Sequence, residues 1–369
     1  LNLINWRKLN EKRYPEMTKT QELLGPSYYA IALQTAVDAI NSCPDRAASE
    51  LVMQQTIKRL AREIPASKRF VGPDVRLMVL PEYFLTAYPL GDTIEGWANK
   101  ACIRMDGPEY EALGKIAQDN DIYLSGNAYE LDDHFPGIYF QTCFIIAPNG
   151  DVIHRYRRLN SMFAPTPHDV WDKYLDIYGL EGVFPVARTE IGNLATIASE
   201  EILYPEIARC LALRGAEIFL HSTGEMGNMN ETPKNIARKA RAIENMAYVI
   251  SANSGTIRGH ELPSGATDGR SAVLDYRGLT LMESGWGETM TAHGSIDLNA
   301  LRNYRRRPGM SNYLARQRLE LFAETYATSG SQKANSLLDD KGNHIIPDRS
   351  HFITSQTQTI ANLAKKGII

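Results

Sequence analysis

Three residues stand directly after short apolar or β-type runs and together carry the chemistry of acyl transfer. Glu82 follows Val79-Leu80-Pro81, Arg158 follows the run Val152–Arg157, and Ser199 follows Leu194–Ala198. A carboxylate, a guanidinium and a hydroxyl can serve as base, oxyanion stabiliser and nucleophile. Two further carboxylates, Glu200 and Glu201, follow the hydroxyl at once. His221 ends the next apolar run, and Glu225 lies just beyond it. These four are the candidates for substrate contact. Spacing alone admits a plainer account, in which Glu82 and Arg158 form an ordinary ion pair and Ser199 caps a helix. His154, between Ile153 and Arg155, reads as a solvated strand residue. The stretch 163–171, FAPTPHDVW, reads either as a pocket-lining loop or as a surface loop.

The elements that must position these residues alternate between strand and helix. Tyr29–Gln34 reads as a first strand and Arg76–Leu80 as a second, with helical spacing over 48–65 between them. A helix over 108–118 opens with Gly107-Pro108, and a strand follows over Ile122–Asn127. Residues 139–158 form the clearest hairpin, two β-type runs flanking Asn149-Gly150. Strands at Leu194–Ala198, Ile218–His221 and Val249–Asn253 are separated by helices over 204–214 and 233–247. In the second of these helices Ile236, Ala240, Ile243 and Ala247 line one apolar face, with Arg238, Lys239 and Arg241 off it. A last hairpin spans 271–281 and turns at Tyr276-Arg277-Gly278. This order predicts an α/β fold with mixed sheets and helices on their faces, and ligands in such folds bind at the carboxyl ends of the strands. The chain divides into an N-terminal extension (1–27), a main domain (28–328) and a polar tail or oligomerisation arm (329–369).

Bulk composition narrows the class. The chain has 369 residues, of which 43% are hydrophobic and 22% charged, and a net charge of −3 with the signs interspersed. That balance offers no basic groove for nucleic acid and no patch for an anionic membrane. No apolar run reaches the ~18–20 residues of a membrane span. The first residues, LNLINWRKLNEKRYPEM, lack an apolar signal core, so a cytoplasmic protein is expected. Cys43, Cys102, Cys143 and Cys210 show no Cys-x-x-Cys spacing and read as reduced, mostly buried thiols.

Five segments, in order, give the chain a resemblance to the nitrilase, or carbon–nitrogen hydrolase, superfamily. VLPEYFLTAYP resembles its Glu motif, GDVIHRYRRLN its Lys motif, and GNLATIASEEILYPEIARCLALRGAEIFLHS its Cys motif. ARKARAIENMAYVISANSG and DGRSAVLDYRGL resemble its downstream signatures. The resemblance implies a nitrilase-like four-layer αββα sandwich and a homodimer or larger homo-oligomer. It also implies a Glu-Lys-Cys triad acting on a small amide-, nitrile- or carbamoyl-type substrate, with no metal and no organic cofactor. Glu82 stands at the Glu position, Arg158 at the Lys position, Ser199 at the Cys position, and Glu201 where an aspartate is common. Two of the three triad positions are therefore substituted. A thiol with an ordinary pKa of ~8.5 yields a thiolate with modest help, whereas a serine hydroxyl needs a base in the transition state. A guanidinium beside Glu82 also keeps that carboxylate ionised. Several readings stay open here: a thiol replaced by design, a serine-based hydrolase, a lyase or transferase on the same scaffold, or a family member that only binds a small molecule or partner.

Overall fold

A computed structural model describes residues 27–227, 231–261, 263, 267–288, 290–330 and 332–369. Residues 1–26 of the N-terminal extension lie outside them. Among the described residues the strands are β1 (Ser27–Gln34), β2 (Ala36–Asp38), β3 (Val75–Val79), β4 (Ile103–Arg104), β5 (Tyr123–Leu131), β6 (Tyr139–Ile146), β7 (Val152–Arg157), β8 (Ala187–Thr189), β9 (Gly192–Ala198), β10 (Ile218–Thr223), β11 (Tyr248–Asn253), β12 (Thr256–Arg258), β13 (Ala272–Leu274), β14 (Thr280–Glu283) and β15 (Met290–Asp297). The helices are α1 (Arg46–Val71), α2 (Ile94–Ala101), α3 (Pro108–Asp119), α4 (Trp171–Val183), α5 (Pro205–Leu213), α6 (Pro233–Asn245), α7 (Leu298–Arg306), α8 (Tyr313–Arg316), α9 (Glu320–Ser329) and α10 (Arg349–Lys365).

Two sheets face each other. The first runs β15-β1-β3-β5-β6-β7, with β4 paired to β5, and the second runs β14-β13-β11-β10-β9-β8. Period-two alternation sends one set of side chains between the sheets and the other set to the helices. From β1, Tyr28, Ala30 and Ala32 enter the middle layer with Leu77, Val79, Leu194, Ile218, Leu220, Ile250 and Val273. Ile31 and Leu33, from the same strand, face outward onto Met53, Ile57, Leu60 and Ile64 of α1 and Leu113 and Ile116 of α3. On the far side Ile207 and Leu211 of α5 and Ala237 and Ala242 of α6 cover Ile197, Phe219 and Val249. The layers are thus helix, sheet, sheet, helix, the sandwich that the resemblance implied.

Local chemistry explains the element boundaries. The Asp45 side chain accepts from Ala48 N at 2.9 Å and starts α1, which runs on past Pro65 to Val71 rather than stopping near it. Asn149-Gly150 turns the β6–β7 hairpin with Gly150 at φ +93°. Helix α6 departs from the expected face. Ile236 and Ile243 are exposed, while Arg238 and Arg241 are buried. The buried side of α6 meets backbone carbonyls near the ends of the second sheet, and these need donors. Arg238 donates to Arg270 O at 2.8 Å and to Glu283 at 2.6 Å, and Arg241 Nε donates to Ile202 O at 2.8 Å.

His154 also departs from the solvated reading. It is buried on the inner side of β7, where its Nε2 lies 2.9 Å from Thr196 Oγ1 of β9, and burial lowers its pKa to about 3. The tail does not read as structured from its composition, yet it carries the 17-residue helix α10. That helix folds back onto its own domain by placing Phe352 among Trp97, Tyr129, Tyr139 and Ala164. All four cysteines are free thiols. Among the described residues no helix is long and apolar enough to cross a membrane.

Candidate active site

Strands β3 and β7 of the first sheet, and β9 and β10 of the second, bring their carboxyl ends to one place. Two hydrogen bonds tie the sheets together there. Glu82 N donates to Thr223 O at 3.2 Å, and Ser222 Oγ donates to Leu80 O at 2.8 Å. The first sheet supplies Glu82 and Arg158 at this junction, and the second supplies Ser199 and Thr223.

Glu82 is buried. Its Oε1 accepts from Gln141 Nε2 at 2.7 Å and lies 3.5 Å from Arg158 Nη1. Its Oε2 has no hydrogen-bond partner among the described residues. Gly224 faces that oxygen, and a β-carbon there would lie 3.1 Å from it. The residue after Glu82, Tyr83, sits at φ +49°, and its phenol is pushed well up by burial and by the Glu82 carboxylate.

Arg158 spends its guanidinium on the protein. Nε donates to Asn160 O at 2.6 Å, Nη1 to Gln141 Oε1 at 2.7 Å, and Nη2 pairs closely with Glu200. Burial opposes its charge, but Tyr83, Glu82 and Glu200 more than offset that, so it stays a cation. No hydrogen bond among the described residues joins Arg158 to Ser199. Glu82 and Arg158, the candidate site residues of the first sheet, therefore contact each other, whereas the serine is served by a different group.

That group is Lys234, which the sequence reading passed over. Lys234 Nζ donates to Ser199 Oγ at 3.0 Å and lies 3.4 Å from Thr223 Oγ1 and 3.2 Å from Glu225 Oε2. One signal was available. Lys234 stands in the first turn of α6, directly after Pro233, where the helix dipole disfavours a cation. Ser199 itself is buried at φ +45°, a backbone region that non-glycine residues seldom occupy. Its hydroxyl caps no helix, since it accepts from Lys234 and no side chain caps the turn Ser199–Leu203.

His221 and Glu201 were expected to touch substrate, and the structure places both wholly inside the protein. His221 Nε2 lies 2.9 Å from Ser199 O and its Nδ1 2.8 Å from Ser251 Oγ, and burial lowers its pKa to about 3. The network fits the neutral Nε2–H tautomer, whose donated bond pins the carbonyl of Ser199. Glu201 accepts from Tyr156 OH at 2.6 Å and from the amides of Leu159 and Asn160 at 2.8 Å each. It thereby holds the segment that follows Arg158. Burial pushes its carboxyl up to about 7 against the opposing pull of Arg158 and these donors. Glu200 and Glu225 keep side-chain exposure of 39% and 20%, enough to meet a ligand.

Two cavities adjoin the site. One of about 260 Å³ is lined by Tyr83, Tyr129, Gln141, Arg158, Phe163 and Glu200, among others. A second of about 340 Å³ lies between Leu159–Met162, Glu200 and helix α10. The 163–171 stretch thus lines both cavities, through Phe163 and Ala164 in one and Thr166 and Asp169 in the other. Cys143 lies within reach of the same network, 3.2 Å from Asn127 Nδ2, but burial pushes its thiol up to about 12. It is a protonated core thiol and no substitute nucleophile.

The model of the carbon-nitrogen hydrolase family matches residues 33–306 of the chain. The chain belongs to that family. It is 25% identical over 182 residues to a probable nitrilase of Schizosaccharomyces pombe, a match covering 49% of this chain and 62% of that protein. It is 27% identical over 285 residues to a hydrolase of Pseudomonas protegens, covering 77% of this chain and 90% of the relative. Among solved structures it is similar to a mutant of the amidase from Nesterenkonia sp. AN1 that carries the acetamide moiety of fluoroacetamide on its active-site cysteine. That likeness has a TM-score of 0.57 at 19% identity and covers 80% of this chain and 96% of the other. At that identity it shows a shared fold. With respect to the S. pombe protein, the chain spans less than two thirds of the relative's length.

Proposed function

We propose that this family member hydrolyses the C–N bond of a small amide, nitrile or carbamoyl compound, with Ser199 as nucleophile and Glu82 as the proton carrier. The observation that carries the reading is the backbone of Ser199. A serine held at φ +45° at a strand end, its carbonyl fixed by His221, resembles the strained turns that present nucleophiles in other hydrolases. The open oxygen of Glu82 supports it as a group able to accept a proton.

With an amide, Ser199 Oγ bonds to the carbonyl carbon and its proton passes to Glu82. The carbonyl π pair moves to oxygen. As the tetrahedral species collapses, the C–N bond breaks and Glu82 returns the proton to the departing amine. Water then attacks the serine ester, again giving its proton to Glu82, and the acid leaves as Oγ regains a proton. Arg158 orients Glu82 through Gln141 and neutralises Glu200 at the wall of the cavity.

The test is ammonia release from a panel of short amides, nitriles and carbamoyl compounds. Wild-type turnover is expected, with Glu82→Gln lowering kcat by about 10²- to 10⁴-fold and Ser199→Ala leaving background. Undiminished turnover by Ser199→Ala, or none by the wild type, overturns the reading. A second reading, a member that binds a small carboxylate or amide without turnover, is favoured by one observation: Nε, Nη1 and Nη2 of Arg158 each already have a protein partner. Saturable binding with no ammonia released separates it, and product without ammonia points to a lyase or transferase.

A further inference from the structure

We propose that Lys234, on a helix of the second sheet's outer layer, is the catalytic cation beside Ser199, and that Arg158 at the motif position is not. The inference rests on the reading that Ser199 is the nucleophile. An ammonium has three N–H donors. Lys234 Nζ donates two hydrogen bonds, to Ser199 Oγ at 3.0 Å and Thr223 Oγ1 at 3.4 Å, and forms an ion pair with Glu225 Oε2 at 3.2 Å. Its side chain is 16% exposed.

The surroundings are built to hold it there. Thr232 caps α6 by accepting from Asn235 N at 3.3 Å, and Pro233 fixes the first turn. Glu225 is held in turn through its backbone, which donates to Asn253 Oδ1 at 2.8 Å. A cation in the first turn of a helix works against the dipole, and the Glu225 carboxylate offsets that cost. Arg158, by contrast, is shared among Asn160 O, Gln141, Glu82 and Glu200.

The arrangement suits a serine nucleophile. Serine is a weak acid, and negative charge on Oγ is stabilised by a fixed donor cation in contact with it. Lys234 keeps its three protons throughout. It holds Oγ as that oxygen forms its bond to carbon and gives its proton to Glu82. It holds Oγ again as the ester C–O bond breaks and the electron pair returns to the serine. The amine that the family motif places after β7 is thus supplied from α6, the helix that covers the opposite sheet.

A small alkyl fluorophosphonate tests this without knowledge of the substrate. Oγ forms a bond to phosphorus, the P–F bond breaks, fluoride leaves and the hydroxyl proton goes to Glu82. The full chain is reacted, the adduct followed by intact mass, and its position mapped by peptide analysis. Wild type is expected to carry one adduct, on Ser199. Lys234→Met is expected to slow labelling by about 100-fold or more, and Lys234→Arg to restore part of the rate. Lys234→Gln keeps a donor without the charge and is read in parallel, so a fold defect in the Met variant does not decide the matter. It is expected to be slow as well, with a thermal midpoint near wild type.

Labelling of Lys234→Gln at the wild-type rate overturns the proposal, as does the lack of any wild-type adduct on Ser199. The two readings fail separately. Ammonia release by the wild type with Lys234-independent labelling removes Lys234 and leaves the hydrolase standing. Lys234-dependent labelling with no turnover of any compound in the panel removes the hydrolase and leaves Lys234.

Discussion

Glu201 has no water to face, and its carboxyl is pushed from the ordinary 4.5 up to about 7 by burial. A carboxyl raised on folding binds its proton more tightly in the native state. Its stabilising contribution is complete below about pH 4.5 and drains away as pH rises through 7. Glu201→Gln keeps an acceptor for the Leu159 and Asn160 amides and removes the charge. Between pH 5 and pH 8 the wild type is therefore expected to lose roughly 3 kcal/mol relative to this variant. Urea unfolding at the two pH values measures it, and parallel pH curves would refute it. At this scale the sequence told a partial story. Glu82, Arg158 and Ser199 were legible because each ends a run that must be a strand. Their pairing was not, since a string of letters gives no distance between two sheets. Lys234 was hidden among Lys239, Arg238 and Arg241 in a helix whose charged residues read only as lying off its apolar face. The misreading of Glu201 and His221 has the same root: polar residues beside a nucleophile hold backbone as readily as they hold substrate.

The elements behave as their local signals demand wherever a turn or cap is decisive, and less so where faces are shared. Asn149-Gly150 gave the β6–β7 hairpin, and Gly107-Pro108 gave the start of α3. The contact between those two elements was invisible in the sequence. On α3, a β-carbon added to Gly114 would sit 2.6 Å from the carbonyl oxygen of Gly150. Backbone cannot rotate away as a side chain can. Gly114→Ala is expected to push α3 off the hairpin and cost about 1–3 kcal/mol, despite alanine's better helix propensity. A thermal midpoint at or above wild type would contradict this close approach. Helix α6 teaches the complementary point. Its apolar periodicity was real, but the carbonyls it covers recruited arginines to the buried side, leaving Ile236 and Ile243 exposed.

At the scale of the molecule, the four layers were foreshadowed by the order of strands and helices and by the family resemblance. The path of the tail was not. Helix α10 rests on the domain through one aromatic side chain, Phe352, and through Arg349 stacked over Phe163 at 4.3 Å. Neither partner lies near residue 350 in sequence, so no local pattern announces the contact. Phe352→Ala is expected to remove about 3 kcal/mol or more of docking energy and to free α10 while the sandwich stays folded. Hydrogen exchange then accelerates in α10 and in residues 159–166, which share the 340 Å³ cavity with it, but not in β1 or β10. Unchanged protection of α10 would show that Phe352 is not what anchors it.

The middle layer of the sandwich has a second duty that its apolar composition conceals. Glu82 follows a strand of one sheet and Ser199 follows a strand of the other, while Lys234 stands on helix α6, which covers the second sheet. Leu220 and Ile250, together with Leu77 and Val79, thus act as a shim that sets the gap between the sheets, the gap that a proton crosses in the proposed reaction. If the proposed hydrolysis holds, thinning that shim by a single methyl group is expected to slow turnover before it visibly loosens the fold.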